Sequence, residues 1–232
     1  MSGEMTPLMI RRRRALISLG VGFIALSVFI ALAMINLVSF AFQRVGLSPG
    51  WMVFALCAAI IGSRVDIPVV RLRPQVQAST NAGEQYPFWP TQLVDVPSGL
   101  TLVAVNLGGA VVPSVVAGYL LIHDGVFWPA LLATIVVGLA VFAVARPVAA
   151  LGVVVPVLWA PLVSASVAIA IGGSYVPALA YIAGTFGTLV GADFANLRSV
   201  RGPETMAMSI GGGGTFDSVF LSGIVAVLLT AL

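Results

Sequence analysis

Apolar residues come in seven long runs, and the stretches between them hold most of the charge and the turn formers. A helix needs about 20 apolar residues to cross roughly 30 Å of hydrocarbon. Runs at 15–42, 45–63, 99–122, 127–145, 151–172, 175–197 and 206–232 meet that length or come close. The pattern predicts an all-α polytopic membrane protein with about seven transmembrane helices. The first run follows Arg11, Arg12, Arg13 and Arg14 directly. A signal peptide has the same basic start, but its apolar stretch is only about 7–15 residues, so a retained signal-anchor helix is expected. Ser48, Pro49 and Gly50 supply a helix start inside the second run, while Pro156 and Pro161 predict a kinked or partly re-entrant start to the fifth.

Two places depart from this rhythm. Residues 64–98 form the one long polar stretch, read as an inner, cytoplasmic loop. Within it Val70-Arg71-Leu72-Arg73 and Gln92-Leu93-Val94-Asp95-Val96 alternate with the period of a strand. A small β-hairpin is one expectation for the loop; an irregular interfacial segment pinned by Tyr86, Phe88 and Trp89 is the other. The second departure is Gly211-Gly212-Gly213-Gly214 inside the last run. Each glycine disfavours helix by about 1 kcal/mol, so residues 206–214 are expected as a loop or half-helix, with regular helix from about Thr215. The chain as a whole, residues 1–232, reads as a single integral membrane domain with a basic cytoplasmic N-terminus over 1–14.

Composition narrows the classes of function. Only 8% of residues are charged and 59% are hydrophobic, with a mean hydropathy of +1.10. That excludes both an ordinary soluble domain and a disordered chain. All 11 basic residues are arginine, which removes Schiff-base chemistry and a lysine base. Cys57 and His123 each stand alone, so a disulfide within the chain, a thiolate metal site and a histidine metal cluster are excluded. No metal and no cofactor is expected. The net charge of +3 belongs to arginines spaced between apolar runs, a matter of membrane orientation rather than of nucleic acid. With the N-terminus inside, Arg11 to Arg14, Arg64, Arg71, Arg73, Arg146, Arg198 and Arg201 fall on the inner side, and Arg44 alone on the outer. Trp51, Trp128 and Tyr175 then gather at the outer interface, as an aromatic belt does. The expectation is a multi-pass protein of the cell membrane, N-terminus in the cytoplasm and C-terminus outside, with the bilayer as its first partner.

Asp193 and Asp217 are the two acids inside the predicted spans. A carboxylate at mid-bilayer costs about 2.5–3.5 kcal/mol on insertion scales, so such residues usually face the bundle interior and serve a function. Asp193 stands four residues before Leu197, and a helix starting near Thr215 sets Asp217 at a similar depth on the next, antiparallel helix. Asn106, Asn196 and Thr215 complete a candidate polar pocket. Three readings stay open. The acids activate water as a diaspartyl hydrolase acting on a membrane-embedded peptide, one carboxyl protonated and one ionised. Alternatively they bind a proton, cation or small solute in a transporter. The third is a scaffold in which they satisfy backbone freed by the glycines.

Three phrases carry a resemblance: Asn106-Leu107-Gly108-Gly109-Ala110, Gly187-Thr188-Leu189-Val190-Gly191-Ala192-Asp193, and Gly211-Gly212-Gly213-Gly214-Thr215-Phe216-Asp217. They resemble the domain of unknown function 1614 family of bacterial and archaeal membrane proteins, from about Gly46 onward. The resemblance implies membrane location and weight on those phrases, and it implies no activity. A looser likeness is to presenilin-type and prepilin-type intramembrane aspartyl proteases, which use two aspartates on neighbouring helices, one in a Gly-x-Gly-Asp phrase. Here Gly191-Ala192-Asp193 and Gly214-Thr215-Phe216-Asp217 each depart from that phrase.

Overall fold

The computed structural model describes residues 7–72, 101–148, 152–197, 207–212 and 218–231. These form seven α-helices: α1 (Pro7–Arg44), α2 (Pro49–Gly62), α3 (Val112–His123), α4 (Phe127–Val144), α5 (Trp159–Ile171), α6 (Val176–Thr188) and α7 (Ser218–Leu229). Five short strands accompany them: β1 (Asp66–Leu72), β2 (Thr101–Asn106), β3 (Arg146–Val148), β4 (Gly152–Val154) and β5 (Ala207–Ile210). The chain divides into two units, one up to Phe40 and one from Ala41 onward. The first is the bulk of α1. From Phe23 it is apolar on every side, with Phe23 72% and Phe29 68% exposed, the pattern of a helix whose solvent is hydrocarbon.

In the second unit α6 is the central helix. Every residue from Ala178 to Thr185 is buried, and α3, α4, α5 and α7 all pack against it. Alanines and glycines make that possible, since helices without a hydrophobic drive between them associate through close backbone approach. On α4 the buried face is likewise narrow, Ala130, Ala133, Val137, Gly138 and Val141, while Leu131, Leu132, Ile135 and Leu139 point outward. Phe23–Arg44, Phe127–Val144 and Gly173–Phe194 are long and apolar enough to cross a membrane, and four shorter apolar helices accompany them.

The third run is not helical throughout. Thr101–Asn106 is strand β2, a π-helical turn follows at Leu107–Val111, and only then does α3 begin. Short apolar runs rich in β-branched residues suit strand and helix alike, and their partners decide. Here β2 is the middle strand of a three-stranded sheet, antiparallel to β1 and parallel to β5. Val103 and Val105 turn to one face and are packed with Ile210 of β5, while Asn106 turns to the other.

Strand β1 contains the expected alternating segment at Val70, yet its partner is β2; the other half of the predicted hairpin, Gln92–Val96, lies outside the described residues. The fifth run is also shorter than predicted. Strand β4, paired with β3, takes its beginning, and α5 starts at Trp159, past Pro156, with Pro161 in its first turn. That places both prolines where a missing N–H does least harm. The last run is not one continuous helix: Ala207–Ile210 is strand β5, where a loop or half-helix is expected, Gly211 turns with a positive φ, and α7 is described from Ser218.

Candidate functional site

Two π-helical turns mark the region where the sheet meets the helices. One is Leu107–Val111, leading into α3; the other, Leu189–Phe194, continues α6. Such turns insert a residue into a helix and collect at functional positions. Val103, Ala110, Leu189, Ile210 and Val219 form one buried cluster. Both π turns, strands β2 and β5 and the first turn of α7 therefore converge on a single apolar knot.

Asp193 sits in the second π turn and is half-buried. Its Oδ2 accepts the backbone N–H of Gly211 at 3.0 Å. Gly211 adopts a positive φ of 70°, and a Cβ there would stand 2.6 Å from the backbone nitrogen of Ala110. Only glycine fits the turn, so the first glycine of the run presents its amide to the acid because it has no side chain. An aspartate accepting a backbone N–H is a charge-assisted bond, stronger than one between neutral groups. Asn196 secures the same turn from below. Its Nδ2 donates to the carbonyls of Gly191 and Ala192, each at 3.0 Å, two acceptors at the end of the helix.

Asn106 holds the other π turn. Its Oδ1 accepts the N–H of Gly109 at 2.8 Å, capping the turn. Its Nδ2 donates to Ser63 O at 2.9 Å and to Asp66 Oδ1 at 3.0 Å. Asn106 is 3% exposed, and its amide is engaged with the end of α2, the start of β1 and the first π turn. The same Asp66 oxygen accepts the Ser209 hydroxyl from β5. Asp66 thus ties the three strands together, and among the described residues its partners are Asn106 and Ser209, not the arginine pairing its sequence neighbours suggest. Asp66 and Ser209 were missed as members of this network because they are 143 residues apart and only the parallel β2/β5 pairing brings them together. Of the predicted site residues, Asn106, Asp193 and Asn196 are found around the knot. Thr215 and Asp217 lie outside the described residues.

Among the described residues no group of three or more His, Cys, Asp or Glu side chains is placed to hold a metal ion. The Pro-Ala-Leu phrase of aspartyl proteases occurs twice, as Pro129-Ala130-Leu131 at the start of α4 and Pro177-Ala178-Leu179 at the start of α6, the end of that helix away from Asp193. No curated protein and no solved structure matches the chain, so the likeness to those proteases gains no support from either comparison. A family profile does match, over residues 60–229, and its description is "Protein of unknown function (DUF1614)". That stretch includes both π turns, the three-stranded sheet and α7, and the chain is accordingly a member of the DUF1614 family.

Proposed function

We propose that Asp193 and Asp217 form one intramembrane acid site, and that the site is that of a hydrolase acting on a membrane-embedded peptide. The hydrogen bond from Gly211 to Asp193 carries the reading. It fixes the chain at the carboxylate six residues before Asp217, and Val219, two residues after Asp217, belongs to the same buried cluster as Leu189 of that π turn. Both flanks of the segment holding the second acid are therefore anchored in the region of the first. In the hydrolase one carboxyl is protonated while the other, ionised, draws a proton from water attacking the peptide carbonyl. Thr215 would lie beside the second acid as a hydroxyl for substrate. Asn106 and Asn196 enter as positioning residues that hold the π turns. The inner, cytoplasmic side of the cell membrane is the location we assign to the site, on the arginine distribution.

Two measurements test this. With Cys57 replaced by alanine, an Asp193→Cys/Asp217→Cys variant should form a disulfide on mild oxidation, because linked Cα atoms must come within about 7 Å. A substrate-trapping pull-down should then retain a membrane peptide with Asp217→Ala that the wild type cleaves and releases. Failure to cross-link would remove the shared site; cross-linking without any trapped or cleaved peptide would remove hydrolysis and leave the acids to ion or proton binding.

A further inference from the structure

Asn36 lies in α1 eight residues before Arg44, about 12 Å along the helix at 1.5 Å per residue. No residue from Phe23 to Phe40 is buried, so its side chain faces hydrocarbon when α1 spans the membrane. A carboxamide there is costly while its polar atoms lack partners. Asn36 meets part of that cost within its own helix, where Nδ2 donates to Leu32 O at 2.8 Å. An amide carries two N–H donors and an oxygen with two lone pairs. One N–H and the whole of Oδ1 are therefore left over, and nothing among the described residues takes them. Ser27, on the opposite side of the helix, gives the contrast. Its hydroxyl donates to Phe23 O at 2.9 Å and has no further hydrogen to place.

Lipid tails offer neither a donor nor an acceptor. A second copy of this chain offers both, because a carboxamide is its own complement: the N–H of each amide meets the Oδ1 of the other. Copies inserted in one membrane with the same orientation also carry Asn36 at the same depth, which an unrelated helix does only by coincidence. The residues beside it suit a helix pair. Ala25, Phe29, Leu32 and Asn36 follow one another at intervals of four, three and four residues, the spacing of a coiled-coil seam. Phe29 and Leu32 are 68% and 54% exposed, and Ala25 is small enough to let two backbones approach.

We propose that α1 joins two copies of this chain in a parallel homodimer, with Asn36 paired to Asn36 across the two-fold axis and Leu32, Phe29 and Ala25 packed along the seam. A single asparagine in such a seam also fixes register, since a slip of one turn separates the two amides. The dimer is independent of the acid site and needs neither Asp193 nor Asp217.

Energy transfer between donor- and acceptor-labelled copies of the full-length protein in liposomes tests it as the lipid is diluted. Wild type should show transfer that falls with dilution. Asn36→Leu should dissociate roughly tenfold more readily, and Asn36→Gln, which keeps the amide, should stay within about threefold of wild type. Asn36→Leu loses only a bond within its own helix and should melt with the wild type. Cross-linking gives a second readout in the Cys57→Ala background, because linked Cα atoms must come within about 7 Å. On oxidation in native membranes Leu32→Cys should give a disulfide-linked dimer, while Met34→Cys, on the far side of the helix, should not. If Asn36→Leu fails to insert, this comparison of positions 32 and 34 carries the test. Transfer absent at every density would mean that another helix of the chain or another protein meets the amide, and it overturns the dimer. Asn36→Leu folded and dissociating with the wild type overturns it as well, as does cross-linking at 34 in preference to 32.

Discussion

Asp193 and Gly211 are eighteen residues apart in the chain, and the carboxylate of one holds the backbone N–H of the other at 3.0 Å. The bond crosses from α6 to the chain leading into α7, and it ties the π turn of the first to the glycine run of the second. It also gives the acid a structural duty beside any chemical one. The two duties separate by substitution.

Asp193→Ala removes the acceptor and leaves the Gly211 amide unpaired. The expected loss is roughly 1.5–3 kcal/mol, the range for a hydrogen bond to a charged group, read as a lower melting temperature in detergent. Asp193→Asn keeps an acceptor oxygen and should lose about half as much. If the acid is also chemical, both variants abolish peptide cleavage to the same extent although their stabilities differ. Activity that follows stability through the pair would mark Asp193 as purely structural.

The helices were legible in the sequence wherever one run could be judged by itself. Residues 127–145 contain no proline after the first turn and no glycine pair, and α4 fills the run almost to the residue. Failures came where the partner decides. Thr101–Asn106 reads as the start of a helix until β1 and β5 are beside it, and hydropathy cannot report a partner from 30 or 100 residues away. Asn106 was legible as important but not as a cap. Its role depends on Ser63 and Asp66, 43 and 40 residues earlier. Gly211, the first glycine of the run, is out of helix as expected, with a positive φ of 70°, and that cause is local. Strand β5 before it, in place of the expected loop or half-helix, has a non-local cause.

Gly211 and Gly46 offer a controlled comparison. Both have positive φ, 70° and 81°, but a Cβ at Gly46 meets nothing within 4 Å while one at Gly211 overlaps Ala110. Gly46→Ala should cost only the conformational penalty, about 1–2 kcal/mol. Gly211→Ala should cost that amount plus the displacement of the π turn, and it should loosen the Asp193 bond as well. Hydrogen exchange at the Gly211 amide is the direct readout. Equal losses of stability in the two variants would mean that the turn yields freely.

Asn106→Ala should be more damaging than its size suggests. It orphans the Gly109 N–H and the Ser63 carbonyl, each worth roughly 1–3 kcal/mol when buried. Asn106→Asp preserves the cap on Gly109 but sets a second acceptor against Asp66 and Ser63. Pairing it with Asp66→Asn returns a donor to the cross-strand contact. Contacting residues couple by about 0.5–3 kcal/mol, so the double variant should recover stability over Asn106→Asp by an amount in that range. Strict additivity would mean that the Asn106–Asp66 bond contributes nothing to the sheet.

The last prediction concerns how the helices cross. α5 contains 13 residues and the described part of α7 contains 12, which rise only about 20 and 18 Å at 1.5 Å per residue, against roughly 30 Å of hydrocarbon. On the proposed inward placement of the arginines α5 crosses as well, because without it Arg198 and Arg201 would fall outside. The two short helices are expected to cross where flanking segments at their ends share the remaining depth or the bilayer thins locally. Single cysteines in the Cys57→Ala background decide the matter. A cysteine replacing Ile122, 83% exposed at the end of α3, should react with a membrane-impermeant maleimide in intact cells. One replacing Arg198 should react only after the membrane is opened, and a reporter fused after Leu232 should be active only on the outer side. Labelling of position 198 in intact cells would show that α5 turns back within the bilayer, and the acid site would then face the outer side rather than the cytoplasm.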